Sequence, residues 1–212
     1  MIDISRKAEA RRPLASRDAR LSRMLMERLL ETPATPNQIS LASIGFAALG
    51  AAALLAGVQH PFFYLAGALF IQLRLLCNLL DGMVAVEGGR GGPTGQLFNE
   101  IPDRIADTLL IVAAGYAAGV PAIGWLAALL AALTAYIRAL GGALGFPQDF
   151  SGILSKPRRM ALLTAACVLA SIESWFGGPG WTMPVAVTLL AAGAFVTCAT
   201  RTMALARKLE GA

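Results

Sequence analysis

The sequence is poor in charged residues and in the side chains that bind soft metals. Only 15% of its 212 residues are charged, it has one histidine, and its three cysteines lie at unrelated spacings. Neither a disulfide framework nor a thiolate metal site is therefore indicated. With 56% hydrophobic residues, this shortage of charge does not suit a water-soluble core of this size and is typical of a membrane protein.

The N-terminal region lacks the apolar run of a secretory signal peptide. Its first 34 residues carry eight basic and five acidic side chains, so we expect no such peptide. From Leu14 to Leu30, apolar residues recur at helical spacing between arginines, which predicts an amphipathic helix on the cytoplasmic membrane surface. A solvated, partly disordered tail is the alternative. We assign residues 1–36 to this segment and residues 37–212 to one membrane domain.

Six apolar windows are long enough to cross a bilayer. The connections after the first, third and fifth windows contain no Lys or Arg, so the positive-inside rule places both termini in the cytoplasm. The predicted fold is an all-α, multi-pass inner-membrane protein with six transmembrane helices, the first capped by Asn37 or Ser40. The windows cover residues 39–58, 62–80, 104–119, 121–143, 159–176 and 183–205.

The net charge of +5 does not indicate nucleic-acid binding. The basic residues flank apolar spans, and they are not interleaved with aromatic residues. Attraction to anionic membrane lipids explains such a distribution, so we predict lipid contacts and no nucleic-acid partner.

Acidic residues are concentrated in one short stretch, because five of the thirteen fall between positions 81 and 107. Charges beside a membrane span are costly and suggest function. Helical spacing also places polar or small residues in one stripe on each of two successive helices, and two facing stripes predict a cation site. One stripe holds Arg74, Asn78, Asp81, Gly82 and Ala85, and the other holds Gly95, Asn99, Asp103 and Asp107.

The oxygen atoms of Asp and Asn side chains suit a hard ion such as Mg²⁺ or Mn²⁺. Such ions share their remaining positions with water and substrate phosphates, so a phosphate-bearing substrate is implied. Gly82, Ala85 and Gly95 leave the helix surfaces bare, which would let a sugar or pyrophosphate approach the backbone. Tight helix packing is the alternative use of such small residues.

The spacing of these residues resembles a family motif. The chain reads Asn78-x2-Asp81-Gly82-x2-Ala85-Val86-x8-Gly95-x3-Asn99-x3-Asp103. The CDP-alcohol phosphatidyltransferases carry Asp-x2-Asp-Gly-x2-Ala-Arg-x8-Gly-x3-Asp-x3-Asp. Every spacing is kept, but Asn78 and Asn99 replace the first and third aspartates and Val86 replaces the arginine. The segment from Thr35 to Ser40 also resembles the one that precedes the first span in that family.

The resemblance implies transfer of a phosphatidyl group from CDP-diacylglycerol, or of the corresponding group from another CDP-alcohol, to an alcohol or phospho-alcohol acceptor. CMP is released, and one or two Mg²⁺ or Mn²⁺ ions assist. Asp103 is the expected general base, and dimers are common in the family, so a homodimer is left open. The expected metal ligands are Asn78, Asp81, Asn99, Asp103 and Asp107, and the expected donor contacts are Gly82, Ala85, Gly95, Arg74 and Arg90.

A second basic group consists of Arg138, Lys156, Arg158 and Arg159. In family members with a phosphorylated acceptor this region binds the acceptor phosphate, whereas the positive-inside rule alone also predicts basic residues here. Loss of two carboxylates and an arginine leaves a non-catalytic lipid- or nucleotide-binding relative as an alternative function. A small channel is disfavoured, because the carboxylates cluster at one membrane face and not at its middle.

Overall fold

The computed structural model describes residues 20–211, and within this range it contains seven helices and no strand. The short α1 covers the second part of the predicted amphipathic helix, of which residues 14–19 lie outside the described range. Its position on a membrane surface stays a prediction. The helices are α1 Arg20–Leu30, α2 Pro36–Gly57, α3 Phe62–Val86, α4 Gly95–Ala117, α5 Pro121–Ala143, α6 Lys156–Trp175 and α7 Thr182–Glu210.

The six long helices close into a ring. Helix α2 packs on α3 and α4, α3 packs on α6, α6 on α7, α7 on α5, and α5 on α4. Aliphatic side chains such as Leu54, Leu110 and Leu163 are completely buried inside, while Leu129 and Phe195 are more than 60% exposed outside. Helices that are apolar on both sides are typical of membrane spans, and this pattern fits a bundle surrounded by lipid.

Four of the described helices, α2, α3, α5 and α7, are long and apolar enough to cross a membrane. The six-span prediction is thus supported for these four and stays a prediction for α4 and α6. Those two helices carry most of the charged residues of the predicted site. Helix α4 begins at Gly95, nine residues before its apolar window, so its polar first turns and its apolar part form one continuous helix.

Helix α2 starts with a capping box. The Thr35 hydroxyl accepts a hydrogen bond from the Gln38 backbone N–H, and the Gln38 side chain accepts one from the Thr35 N–H. Pro36 occupies the first helical position, where a missing N–H costs nothing. The predicted caps, Asn37 and Ser40, are therefore wrong. The Ser40 hydroxyl instead donates to the carboxylate of Asp81.

Two glycines hold α4 close to α5. A Cβ atom added at Gly115 would lie 2.6 Å from the Cα atom of Gly124, and the reverse substitution would be equally crowded at 2.7 Å. Small residues let membrane helices approach this closely. The contact fixes α4 against its neighbour and thereby holds the polar stripe of α4 toward the inside of the ring.

Candidate active site

The fully buried side chain of Arg74 joins α3 to α4. Its Nη2 donates to Asp107 Oδ1 at 2.6 Å and to Asp103 Oδ1 at 3.2 Å. Its Nε and Nη1 atoms have no hydrogen-bond partner within residues 20–211. A buried guanidinium is tolerable only where carboxylates match its charge, so the two aspartates and Arg74 depend on one another.

Side chains from three helices meet at Asp103. Asn78 of α3 donates to its Oδ1, and Lys156 of α6 donates to its Oδ2. Arg104 lies 3.6 Å from Oδ2, at the rim, and is shared with Glu100 at 3.9 Å. Both carboxylate oxygens of Asp103 therefore have partners from the chain itself, and its side chain is only 10% exposed.

Asp81 lies in the same site. It is buried, follows Asn78 by about one turn of α3, and accepts a hydrogen bond from Ser40 at 2.5 Å. The stripes predicted on α3 and α4 thus meet, with a cation from α6 that no local spacing had linked to them. We call the set Arg74, Asn78, Asp81, Asp103, Asp107, Lys156 and Arg159 the aspartate cluster.

The oxygen atoms of this cluster fit a divalent ion only in part. Asp81, Asp103 and Asn78 offer the hard oxygens that Mg²⁺ or Mn²⁺ prefers, and Asn99 is exposed. Among residues 20–211, however, no three side chains of His, Cys, Asp or Glu converge as a metal site. The arrangement suits an ion that takes its remaining ligands from substrate phosphate and water.

Open space lies beside two of the predicted donor contacts. A Cβ atom added at Gly82 or at Gly95 would meet no other atom within 4 Å. Helix packing, the alternative reason for small residues, is therefore absent at both positions. Ala85 is half-buried and Val86 is exposed. Bare backbone beside carboxylates is what a bulky phosphate ligand requires.

Arg90 lies away from the cluster. Its guanidinium donates to the backbone carbonyls of Leu30 and Thr32, each at 2.8 Å, and to that of Ala34 at 3.1 Å. Arg90 thereby fastens the end of α1 to the loop that follows α3. Its predicted contact with substrate stays a prediction.

The four cations predicted to bind the acceptor phosphate do not lie together in the structure. Arg159 is 2% exposed and pairs with Asp107 at 3.5 Å, and Lys156 bonds to Asp103, so both belong to the aspartate cluster. Arg158 is exposed and donates to backbone carbonyls of the loop before α6. Only Arg138 lies at a second polar site.

This second site is a cavity between the ends of α5 and α7 and the loop 144–155. Arg201 of α7 is buried in its wall and donates to the carbonyls of Ser151 and Thr134, at 2.7 Å each. Arg138 donates to Glu100 at 2.6 Å and to Gln148 at 2.7 Å. We call this site the basic cavity; its charged lining residues are Arg138, Asp149, Arg201 and Lys208.

Sequence reasoning missed Arg201 and Lys208, although Arg201 carried a usable signal. It stands inside the sixth apolar window, where an arginine is costly and suggests function. Lys208 follows that window among other basic residues and is indistinguishable there from ordinary membrane anchoring.

Asp149 is the only carboxylate that lines the basic cavity within the described range. Partial burial raises the pKa of Asp149, but hydrogen bonds from Ser151 and the charges of Arg201 and Lys208 outweigh burial and hold this pKa below its ordinary value. Asp149 is therefore ionised at neutral pH. Arg138 is also paired with Glu100, so the three cations of the cavity face two carboxylates and leave one positive charge in surplus.

Comparison with known proteins identifies relatives of this chain. No protein-family model matches the chain. The Bifunctional IPC transferase and DIPP synthase of Rubrobacter xylanophilus is 37% identical over 172 residues, which are 78% of this chain and 35% of that protein. This chain therefore spans about a third of its length. The phosphatidylinositol phosphate synthase of Mycolicibacterium smegmatis is 28% identical over 193 residues, 88% of this chain and 84% of the relative.

These relatives are CDP-alcohol phosphatidyltransferases. Among solved structures, the phosphatidylinositol phosphate synthase of Mycobacterium tuberculosis with CDP-DAG bound superposes with a TM-score of 0.71 at 22% identity, covering 88% of this chain and 94% of that one. Its complex with manganese and citrate gives a TM-score of 0.73 at 21% identity, with coverage of 87% and 88%. The chain has the fold of that enzyme.

Proposed function

We propose that this protein is a membrane transferase that moves a phosphatidyl group from CDP-diacylglycerol to the hydroxyl of a small polar alcohol and releases CMP. The observation that carries the proposal is that Arg74 and Asn78 of α3 donate hydrogen bonds to Asp103 of α4. The space next to Gly82 and Gly95, on the same two helices, is open. The relatives that are phosphatidylinositol phosphate synthases support the same reaction class.

All six long helices cross the inner membrane, and both termini and the site face the cytoplasm. The ring supports six spans, because α4 and α6 each lie between two of the apolar helices. The connections at 58–61, 118–120 and 176–181 contain no Lys or Arg, as the positive-inside rule requires of external loops. The cluster lies at the opposite end, where a lipid donor keeps its headgroup in water.

Asp81, with Asn78 and Asp103, would hold a divalent cation, Mg²⁺ or Mn²⁺. When bound, such an ion withdraws charge from the pyrophosphate oxygens and stabilises the leaving CMP. The manganese complex of the solved neighbour supports a divalent cation. The open space next to Gly82 and Gly95 gives the pyrophosphate and ribose room to lie against the helices.

The acceptor oxygen forms a bond to the phosphorus that carries the diacylglycerol. The bond from that phosphorus to the bridging pyrophosphate oxygen breaks, and CMP departs with that oxygen. The hydroxyl proton passes to the carboxylate of Asp103, which Arg74, Asn78 and Lys156 hold in place. Catalysis is then mainly a matter of position and electrostatics.

Asp107 has a positioning role. It is buried, and its two oxygens are bound by Arg74 and Arg159, so it orients the guanidinium that holds Asp103. Asp107 and Arg74 thus form the support behind the reacting carboxylate. Asn99, which is exposed at the start of α4, would reach the ion only through water or substrate.

We place the phosphate of a phosphorylated acceptor at the mouth of the basic cavity, whose interior of about 20 Å³ has room for one water molecule. Its cations, Arg138, Arg201 and Lys208, outnumber the carboxylates Asp149 and Glu100, and the phosphatidylinositol phosphate synthases among the relatives favour inositol phosphate as the acceptor. Arg138 also donates to Glu100 of α4, three residues before Asp103, which links the cavity to the aspartate cluster. A molecule anchored in the cavity would extend its hydroxyl toward that cluster.

The test is CMP release by the purified full chain in detergent, with CDP-diacylglycerol and Mg²⁺ or Mn²⁺. Acceptors are supplied singly as inositol phosphate, glycerol phosphate, inositol, glycerol and serine. Release that requires both the ion and a phosphorylated acceptor supports the proposal. If CDP-diacylglycerol still binds but no CMP is released with any acceptor, the result would support the non-catalytic alternative. The two asparagines in the motif favour that alternative.

A further inference from the structure

The inner part of the aspartate cluster is balanced in charge before any ligand binds. Its three aspartates, Asp81, Asp103 and Asp107, face the three cations Arg74, Lys156 and Arg159, and all six side chains are buried or largely buried. Arg104, at the rim, divides its charge between Asp103 and Glu100. The proposed donor adds a pyrophosphate with about two negative charges at neutral pH. One divalent ion would restore neutrality, whereas two would leave two uncompensated positive charges at a buried site.

The available oxygen atoms agree with this balance. Asp103 has one oxygen bound by Asn78 and Arg74 and the other by Lys156. Asp107 is occupied by Arg74 and Arg159. Asp81, whose described side-chain partner is the hydroxyl of Ser40, is left as the principal carboxylate ligand. A second ion would have to displace a lysine or an arginine to obtain a carboxylate.

A separate observation indicates that the cluster binds an anionic or polar ligand. The buried Nε and Nη1 atoms of Arg74 have no hydrogen-bond partner within residues 20–211, although Nη2 of the same group contacts both aspartates. Leaving buried donors unpaired is costly, and phosphate oxygens or ordered water would pair them. The cation and the unpaired donors thus belong to the same site as the proposed pyrophosphate.

We propose that this site takes one divalent cation and that the ammonium group of Lys156 supplies the charge of a second. The inference rests on the proposed donor. It assigns Lys156 to the donor side of the reaction and not to the acceptor phosphate. It also explains how a motif with two aspartates in place of four can hold a pyrophosphate, because the chain provides a built-in cation where fewer carboxylates are present to bind ions.

The experiment is a Mn²⁺ titration of the purified full chain in detergent with saturating CDP-diacylglycerol, followed by the electron paramagnetic resonance signal of free Mn²⁺ and corrected for Mn²⁺ bound by the same lipid without protein. One ion per chain is expected for the wild type. Two ions, or none while CDP-diacylglycerol is bound, would overturn the inference. The readout requires no turnover, so a chain that binds one ion and releases no CMP would refute the proposed function alone.

Substitution tests the role of Lys156 directly. Lys156→Met removes the ammonium group and frees Oδ2 of Asp103, so stoichiometry should rise from one ion to two. Arg207→Met removes an exposed cation from the end of α7 and should leave it at one. A Lys156→Met protein that folds and still binds one ion would contradict the assignment. If it fails to fold, Lys156→Gln, which keeps a hydrogen-bond donor without the charge, is titrated in its place, and a count of one ion contradicts the assignment in the same way.

Discussion

The aspartate cluster and the basic cavity are both polar sites among membrane helices, but their charge balance differs. In the cluster, aspartates and cations match one another through direct contacts such as Arg74 with Asp107 at 2.6 Å. In the cavity, three cations face Asp149 and Glu100, which pairs with Arg138. A balanced site can accept an anion together with its counterion, whereas a surplus of positive charge favours an anion alone. The difference supports the proposal that the donor binds at the cluster and the acceptor phosphate at the cavity.

The largest effect is expected from removing the reacting carboxylate. Asp103→Asn should lower CMP release by about 10²- to 10⁴-fold, the usual contribution of a general base. Glu210→Gln removes an exposed carboxylate at the end of α7 and serves as the control, because it should turn over like wild type. Both rates are read from CMP release, with thermal unfolding in detergent as the check on folding. Equal activity of Asp103→Asn and wild type would refute the assignment.

Breaking the balance within the cluster should cost stability. Arg74→Met leaves buried Asp107 with less compensation and should lower the free energy of unfolding by about 3–5 kcal/mol. Arg74→Met combined with Asp107→Asn should regain part of that loss, because a buried charge is removed with its partner. Thermal unfolding in detergent measures both. An Arg74→Met protein as stable as wild type would show that buried Asp107 does not depend on the charge of Arg74.

A substitution in the cavity should change the KM for the acceptor and leave the KM for CDP-diacylglycerol unchanged. Arg201→Lys keeps the charge but loses the planar guanidinium that bonds the Ser151 carbonyl through two nitrogens, so KM for a phosphorylated acceptor should rise about tenfold. Arg207→Lys, on the exposed side of the same helix, is the control. An equal rise in KM for CDP-diacylglycerol would mean that the two sites are not separate.

The smallest effect concerns the surplus charge itself. Asp149→Asn removes the opposing carboxylate, so a phosphorylated acceptor should bind about two- to fivefold more tightly, in the range of partly exposed ion pairs. The gain should shrink as salt is added, because the charges are screened. The KM for the acceptor, determined for both proteins at two ionic strengths, measures this gain and its salt dependence. Weaker binding would indicate that Asp149 contacts the acceptor as a hydrogen-bond partner.

Local spacing predicted the parts of the site that lie on single helices. The polar stripe from Arg74 to Ala85 and the one from Gly95 to Asp107 follow from helical geometry, and the structure places both on helices that meet. What spacing could not provide is contact between distant segments. Lys156 lies 53 residues from Asp103 in sequence, yet it binds that aspartate, and the pattern around it indicated only a basic membrane boundary.

The start of α2 shows a second reason for a wrong prediction. The capping signal was present as Thr35 followed three residues later by Gln38, whereas the predicted caps, Asn37 and Ser40, lie inside the helix. Ser40 is committed to Asp81, a partner 41 residues away in sequence. A polar residue near a helix start can therefore be withdrawn from capping by a hydrogen bond to a residue distant in sequence.

The most direct test of the central claim is lipid product formation from CDP-diacylglycerol and radiolabelled inositol phosphate, with unphosphorylated inositol beside it. The account predicts that wild-type protein with Mn²⁺ forms the labelled lipid and CMP in equal amounts from the phosphorylated acceptor. Asp103→Asn should form neither, and inositol should react far more slowly. If wild type bound CDP-diacylglycerol and Mn²⁺ but formed no lipid from any alcohol, the transferase assignment would be contradicted.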